Sequence, residues 1–213
     1  SMYDSILFDL DGTLWDATHV TAKIWPAVLA RHPEIHRTVT EADVRAYMGR
    51  TNEELASLLF PDLPYDKALG LMMESCAVEN ELLLAHGGKL YPEIPKVLAA
   101  LSARYPLFIV SNCQSGYIEA FLNHHRLGKY FRDYISSGDT GKKKADNIRL
   151  LRDKHDLQSS LYVGDTRFDE EAARASGCDF CYVTWGFGSV TAPDRTCHTP
   201  MELCSLLTKE ETL

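Results

Sequence analysis

The sequence predicts an α/β protein, with a Rossmann-like parallel sheet core and an inserted helical cap. Three features of the 213-residue chain predict it. Apolar runs of strand length recur along it, helix-length segments separate them, and one long stretch after the first run carries only helical spacings. Continuous apolar runs suit strands covered on both faces, and strand–helix alternation makes the sheet parallel.

The first run, 5–9, ends in Asp9. The alternation then breaks. In segments 24–30, 41–48, 52–60 and 65–85, apolar residues recur at three- and four-residue spacings, with Pro61, Pro64 and the pair Gly87-Gly88 as punctuation. Residues 16–87 therefore read as a helical lobe, and 1–15 with 88–213 as the core. Beyond the lobe, strands are predicted at 107–111, 134–136, 160–164 and 180–184, and helices at 93–104, 115–126, 144–156 and 168–176.

Hydrophobic residues make up 45% and charged residues 24%, enough to bury a sizeable core and too apolar for a disordered chain. With 22 basic and 30 acidic residues the net charge is −8, which argues against a nucleic-acid or acidic-membrane surface while leaving room for one positive pocket. No apolar run approaches the roughly 18 residues of a membrane span, and no basic n-region opens the chain. Ser1 ahead of Met2 reads as a tag remnant, and a cytoplasmic protein is expected. The six cysteines are scattered, as in a reduced protein; Cys178 and Cys181 form a C-x-x-C without a second ligand pair.

Ligands of such sheets bind beyond the carboxyl ends of the strands. There the polar residues gather: Asp9 and Asp11 after the first strand, Ser111 and Asn112 after the second, Asp165 and Asp169 after the fourth. Neighbouring carboxylates repel unless one is protonated or a cation lies between them, and Mg2+ suits oxygen ligands that leave room for water. A phosphate can then approach, with Asp9 as nucleophile and Asp11 as proton donor.

Phe8-Asp9-Leu10-Asp11-Gly12-Thr13-Leu14, Val110-Ser111-Asn112, a lysine within Gly141-Lys142-Lys143-Lys144, and Gly164-Asp165-Thr166-Arg167-Phe168-Asp169 follow one another in order. This set resembles the four motifs of the haloacid dehalogenase superfamily, and the insert resembles the cap of the subclass that includes phosphoglycolate phosphatases and β-phosphoglucomutases. The resemblance implies a phosphatase acting on a small phosphorylated metabolite through an aspartyl-phosphate on Asp9. Asp11 would be acid and then base, and Ser111, Asn112 and nearby N–H groups would hold phosphate oxygens. Asp9, the Asp11 carbonyl, Asp165 and, in support, Asp169 would bind Mg2+. Lys144, opening Lys144-Ala145-Asp146-Asn147-Ile148, is favoured as the charge-neutralising lysine over Lys142, whose spacing to Asp146 fits the commoner pattern.

Two other readings compete. A phosphomutase of this subclass carries a cap histidine where this chain has Thr21, with His19 close by. A non-catalytic phosphate-binding module would not need Asp9, Asp11, Ser111, Lys144 and Asp165 together. In the cap, Arg50 is a candidate contact for a substrate carboxylate or second phosphate. Trp15 and Trp25 read as core residues, Trp185 to Gly188 as a loop near the site, and His124-His125 as helix surface. Nothing in the sequence sets the oligomeric state.

Overall fold

A computed structural model describes residues 2–209, so Ser1 and the last four residues of the expected core lie outside it. Strand β1 (Ser5–Phe8) is followed by β2 (Trp15–Asp16) and by helices α1 (Thr18–Ala30), α2 (Glu41–Ala46), α3 (Asn52–Leu59) and α4 (Tyr65–His86). The chain returns through β3 (Lys89–Leu90) to α5 (Ile94–Ser102), β4 (Leu107–Ser111), α6 (Tyr117–His125), β5 (Asp133–Ser136), α7 (Ser137–Thr140) and α8 (Lys144–His155). Strand β6 (Ser160–Gly164), α9 (Arg167–Ala175), β7 (Asp179–Val183), β8 (Arg195–Cys197) and α10 (Pro200–Lys209) complete it.

Six strands form one sheet in the order β5-β4-β1-β6-β7-β8, and each pairing in it is parallel. Residue alternation sorts the sheet into two faces. Ile6, Phe8, Ile109 and Val163 pack under α5, α6 and α10, whereas Leu7, Phe108, Val110 and Tyr162 pack under α8 and α9. Both faces are apolar, which explains the unbroken apolar runs. Because β1 lies between β4 and β6, the ends of these three strands are neighbours, with Asp9, Ser111 and Asp165 at one edge.

Helices α1, α3 and α4 bury a separate core of Ile24, Trp25, Val28, Leu59, Phe60 and Leu71, with Trp25 against Phe60 at 5.3 Å. Two strands too short to leave a periodic signal, β2 and β3, pair antiparallel where the chain enters and leaves this lobe. Trp15 is buried in that neck against Phe121 and His125. His124 and His125, expected on an open helix surface, instead meet the neck: His124 Nδ1 lies 2.9 Å from the Leu84 carbonyl oxygen. Gly87 has φ +73°, and a Cβ there would lie 2.3 Å from the His124 ring, so the turn out of α4 requires glycine.

The C-x-x-C pair is divided by the same alternation. Cys178 packs on one face of the sheet and Cys181 on the other, where its sulfur lies 3.9 Å from that of Cys197. All six cysteines are free thiols.

Candidate active site

The site begins at the end of β1. Asp9 is 3% exposed, and its N–H donates to the Val163 carbonyl, which holds the chain against β6 for one residue beyond the strand. The backbone then turns at Gly12, where φ is +81° and a Cβ would lie 2.1 Å from the Asp165 carboxylate. Only glycine permits both the turn and the approach.

Asp165 and Asp169 come from the turn between β6 and α9. Thr166 caps α9, accepting from the Asp169 N–H at 3.3 Å, while Asp169 Oδ2 accepts from the Asp165 and Thr166 N–H groups at 3.0 and 3.1 Å. This capping box leaves Asp169 Oδ1 for the site. Asp165 accepts from the Phe187 N–H at 2.8 Å and from the Thr13 hydroxyl at 3.2 Å. The loop after β7 is thus tied to the site, and Trp185 Nε1 also donates to the Thr13 carbonyl at 3.0 Å. The loop Trp185 to Gly188 was expected near the site, but nothing singled out Phe187 within it, because its contribution is a backbone N–H that any residue carries.

Asp9, Asp165 and Asp169 each present an oxygen within 4.8 Å of the others. Lys144, the first residue of α8, places its ammonium 3.0 Å from Asp9 and 2.5 Å from Asp169. Lys142 and Lys143 are exposed. Buried Asn147 secures the intervening loop, accepting from the Thr140 hydroxyl and donating to the Lys142 carbonyl at 3.2 Å.

Burial, with the charges of Asp169 and Asp9, raises the Asp165 carboxyl well above the ordinary range; burial and Asp169 raise Asp9 against the opposing pull of Lys144. Burial alone would lower the Lys144 ammonium, but Asp169 and Asp9 hold it far above the usual lysine value. One ammonium can balance only one of these three carboxylates if all are charged. A divalent cation with oxygen ligands fits that set in charge and donor type.

The side chain of Asp11 stays out of this cluster. Its Oδ1 accepts from the Tyr117 hydroxyl at 2.5 Å and the Trp15 indole at 2.9 Å, so the side chain takes no part in the carboxylate group. Burial, then the charges of Asp9 and Glu79, push its carboxyl up to about 8 against the Tyr117 hydrogen bond.

A cavity of about 100 Å³ runs from Asp9, Ser111 and Lys144 up between the helices of the cap, where Trp25, Leu55 and Met72 line it. Thr21 and Glu79 face it and hydrogen-bond each other, while His19 does not line it. Asn112 also lines the cavity; its amide donates to the Gly49 carbonyl at 3.0 Å, which joins core to cap, and its oxygen accepts from Ser137 of the core at 2.9 Å. Gln114, bonded to Glu79 at 2.7 Å, makes a second joint. Arg50 lines the cavity with its guanidinium 4.9 Å from the Phe168 ring centre and 3.7 Å from Glu54.

A family model described as haloacid dehalogenase-like hydrolase matches residues 6–183. The chain belongs to that family, and it is a hydrolase of the phosphatase kind. Phosphoglycolate phosphatase from Vibrio vulnificus is 32% identical to it over 95% of each chain. The enzyme of that name from Aquifex aeolicus is 30% identical, again over 95% of each. Among solved structures, a haloacid dehalogenase-like hydrolase from Bacteroides fragilis superimposes with a TM-score of 0.82 at 25% identity, covering 94% of this chain and 99% of its own. A family member from Streptococcus pneumoniae gives 0.72 at 25% identity, covering 97% and 99%.

Proposed function

We propose that the protein is a Mg2+-dependent phosphomonoesterase that hydrolyses phosphoglycolate through an aspartyl-phosphate on Asp9. The observation that carries this reading is the buried convergence of Asp9, Asp165 and Asp169 with one lysine at the carboxyl edge of the sheet. The substrate itself comes from the names of the relatives, because one scaffold hosts many substrates.

Asp9, the Asp11 carbonyl and Asp165 would hold the metal, with Asp169 supporting them. When bound, Mg2+ supplies positive charge that offsets the carboxylates and the phosphoryl oxygens. Ser111, buried at the end of β4, donates to a phosphoryl oxygen. Lys144 neutralises charge on Asp9 and on the transferring group, and Asp169 fixes the ammonium in place. A carboxylate oxygen of Asp9 bonds to phosphorus as the ester P–O bond breaks. The leaving oxygen takes the proton of Asp11. Asp11, now a carboxylate, accepts a proton from the water that cleaves the aspartyl-phosphate. Burial in a pocket with Asp9 and Glu79 favours the protonated Asp11 that the first step needs. The reading as a mutase is disfavoured by Thr21, which faces the cavity where a cap histidine would stand.

The test is phosphate release from phosphoglycolate and from a panel of phosphorylated metabolites, with Mg2+, by the native protein and by Asp9→Asn. The native enzyme should prefer phosphoglycolate, and Asp9→Asn should lose at least ~10³-fold in kcat. Retention of more than about a tenth of native turnover by Asp9→Asn would rule out the covalent route.

A further inference from the structure

We infer that Tyr117 and Trp15 are positioning residues for Asp11: both donate to Oδ1, which leaves Oδ2 as the oxygen that delivers the proton. The inference rests on the reading of Asp11 as the acid of phosphoryl transfer. It deepens that reading by assigning the acid's orientation to two side chains that no motif includes.

Tyr117 opens α6 and is 4% exposed, with its hydroxyl 2.5 Å from Asp11 Oδ1. The Trp15 indole N–H reaches the same oxygen at 2.9 Å. An indole nitrogen donates only, so Oδ1 must present a lone pair to it, and the phenol takes a second. An oxygen that accepts two hydrogen bonds is the poorer place for the carboxyl proton. Asp11 Oδ2 forms no hydrogen bond among the described residues, and Asp11 lines the cavity shared with Asp9 and Ser111.

The two rings also fix each other. Trp15 meets Tyr117 edge-on at 5.6 Å and Phe121 at 5.0 Å, within the buried neck. The carboxyl is therefore held in one rotation before substrate arrives, and no orientational freedom is lost during the reaction. In the step itself the Asp9–phosphorus bond forms and the ester P–O bond breaks. The leaving oxygen takes the Oδ2 proton, and Asp11 remains as a carboxylate whose charge the two donors on Oδ1 stabilise. A buried phenol needs some acceptor in any case, but that role alone affects stability without distinguishing one leaving group from another.

Leaving groups provide the test. Phenyl phosphate needs its departing oxygen protonated, whereas the nitrophenolate of p-nitrophenyl phosphate departs unaided. The ratio kcat/KM reports steps through leaving-group departure, so the later role of Asp11 as base does not enter. Tyr117→Phe should lower kcat/KM by about tenfold or more with phenyl phosphate and by less than about threefold with p-nitrophenyl phosphate. Trp15→Phe, which keeps a ring in the neck, should show the same selectivity and serves if Tyr117→Phe does not fold. Equal losses on both substrates, or no loss, would overturn the inference. Asp11→Asn separates the two levels. It should be selective in the same sense and more severe. If Asp11→Asn spared phenyl phosphate, the acid role would fail and the positioning role with it. If Asp11→Asn were selective and the ring variants were not, only the positioning role would fail.

Discussion

The ammonium of Lys144 lies between the carboxylates of Asp9, at 3.0 Å, and Asp169, at 2.5 Å, with all three side chains buried. One helix start, one strand end and one capping box thus meet at a single charge.

Removing that charge should affect rate and stability together. Lys144→Ala is expected to lose roughly 10²–10³-fold in kcat, as for other preorganised charge-stabilising groups. It should also destabilise the fold by roughly 3–5 kcal/mol, because Asp9 and Asp169 would be left buried without their partner. Lys142→Ala, at an exposed site, should change neither by much. Steady-state kinetics and denaturant melts of both variants check this; similar small effects would assign the role to another cation.

The carboxylate cluster should bind Mg2+ even without substrate. At about 100-fold excess over its Kd, Mg2+ should raise Tm by roughly 5–10 °C, since it relieves repulsion in the folded state only. Asp165→Asn should abolish that shift. Chelation should abolish turnover, and Ca2+ should stabilise while supporting turnover poorly. Full activity in excess chelator would exclude the metal site.

Arg50 should decide the substrate rather than the chemistry. It reaches the cavity from the cap and is held by Phe168 and Glu54. Arg50→Ala should lower kcat/KM for phosphoglycolate by about 10–100-fold, the scale of losing a charge-assisted hydrogen bond. Turnover of p-nitrophenyl phosphate, which has no carboxylate to bind, should change little. A uniform loss across substrates would mean that Arg50 supports the core instead.

Glu79 offers a stability test with a defined pH sign. Burial raises its carboxyl above the usual range, with Thr21 and Gln114 pulling the other way. The folded state therefore holds a proton that the unfolded state releases above about pH 4.3, and stability falls as pH rises from there through the raised value. Glu79→Gln removes that penalty and keeps an oxygen for Gln114. Thermal melts should show the variant more stable than the native protein at about pH 8 and equal to it at about pH 4. A variant less stable at both values would make the carboxylate a net stabiliser.

The strands at 5–8, 107–111, 160–164 and 179–183 were legible because both faces of each are buried, so apolar residues run without a break. Helices α5, α6, α8 and α9 matched their expected spans to within two residues at either end, while the short α7 was not expected. The neck strands β2 and β3, the edge strand β8 and helix α10 were not read from sequence. Two or three residues cannot establish a period, and an edge strand covered on one side has no continuous apolar run. The positions of Asp9, Asp11, Ser111, Asn112, Asp165 and Asp169 stood out as polar residues beyond strand ends, and Lys144 through the resemblance of its motif.

Local chemistry in the sequence determined the sheet, the helical insert and the acids that gather at the strand ends, because periodicity and turn residues act over a few positions. Only the tertiary structure decided which groups touch. Strand order placed β1 between β4 and β6, and contacts across the fold set the ammonium of Lys144, already favoured in the sequence, against Asp9, turned Asp11 away from the other acids toward Tyr117 and Trp15, and tied Asn112 to Gly49 of the cap. Those choices depend on contacts between residues far apart in the chain, 135 positions for Asp9 and Lys144 and 155 for Ser5 and Ser160, and such distances leave no trace in a local pattern.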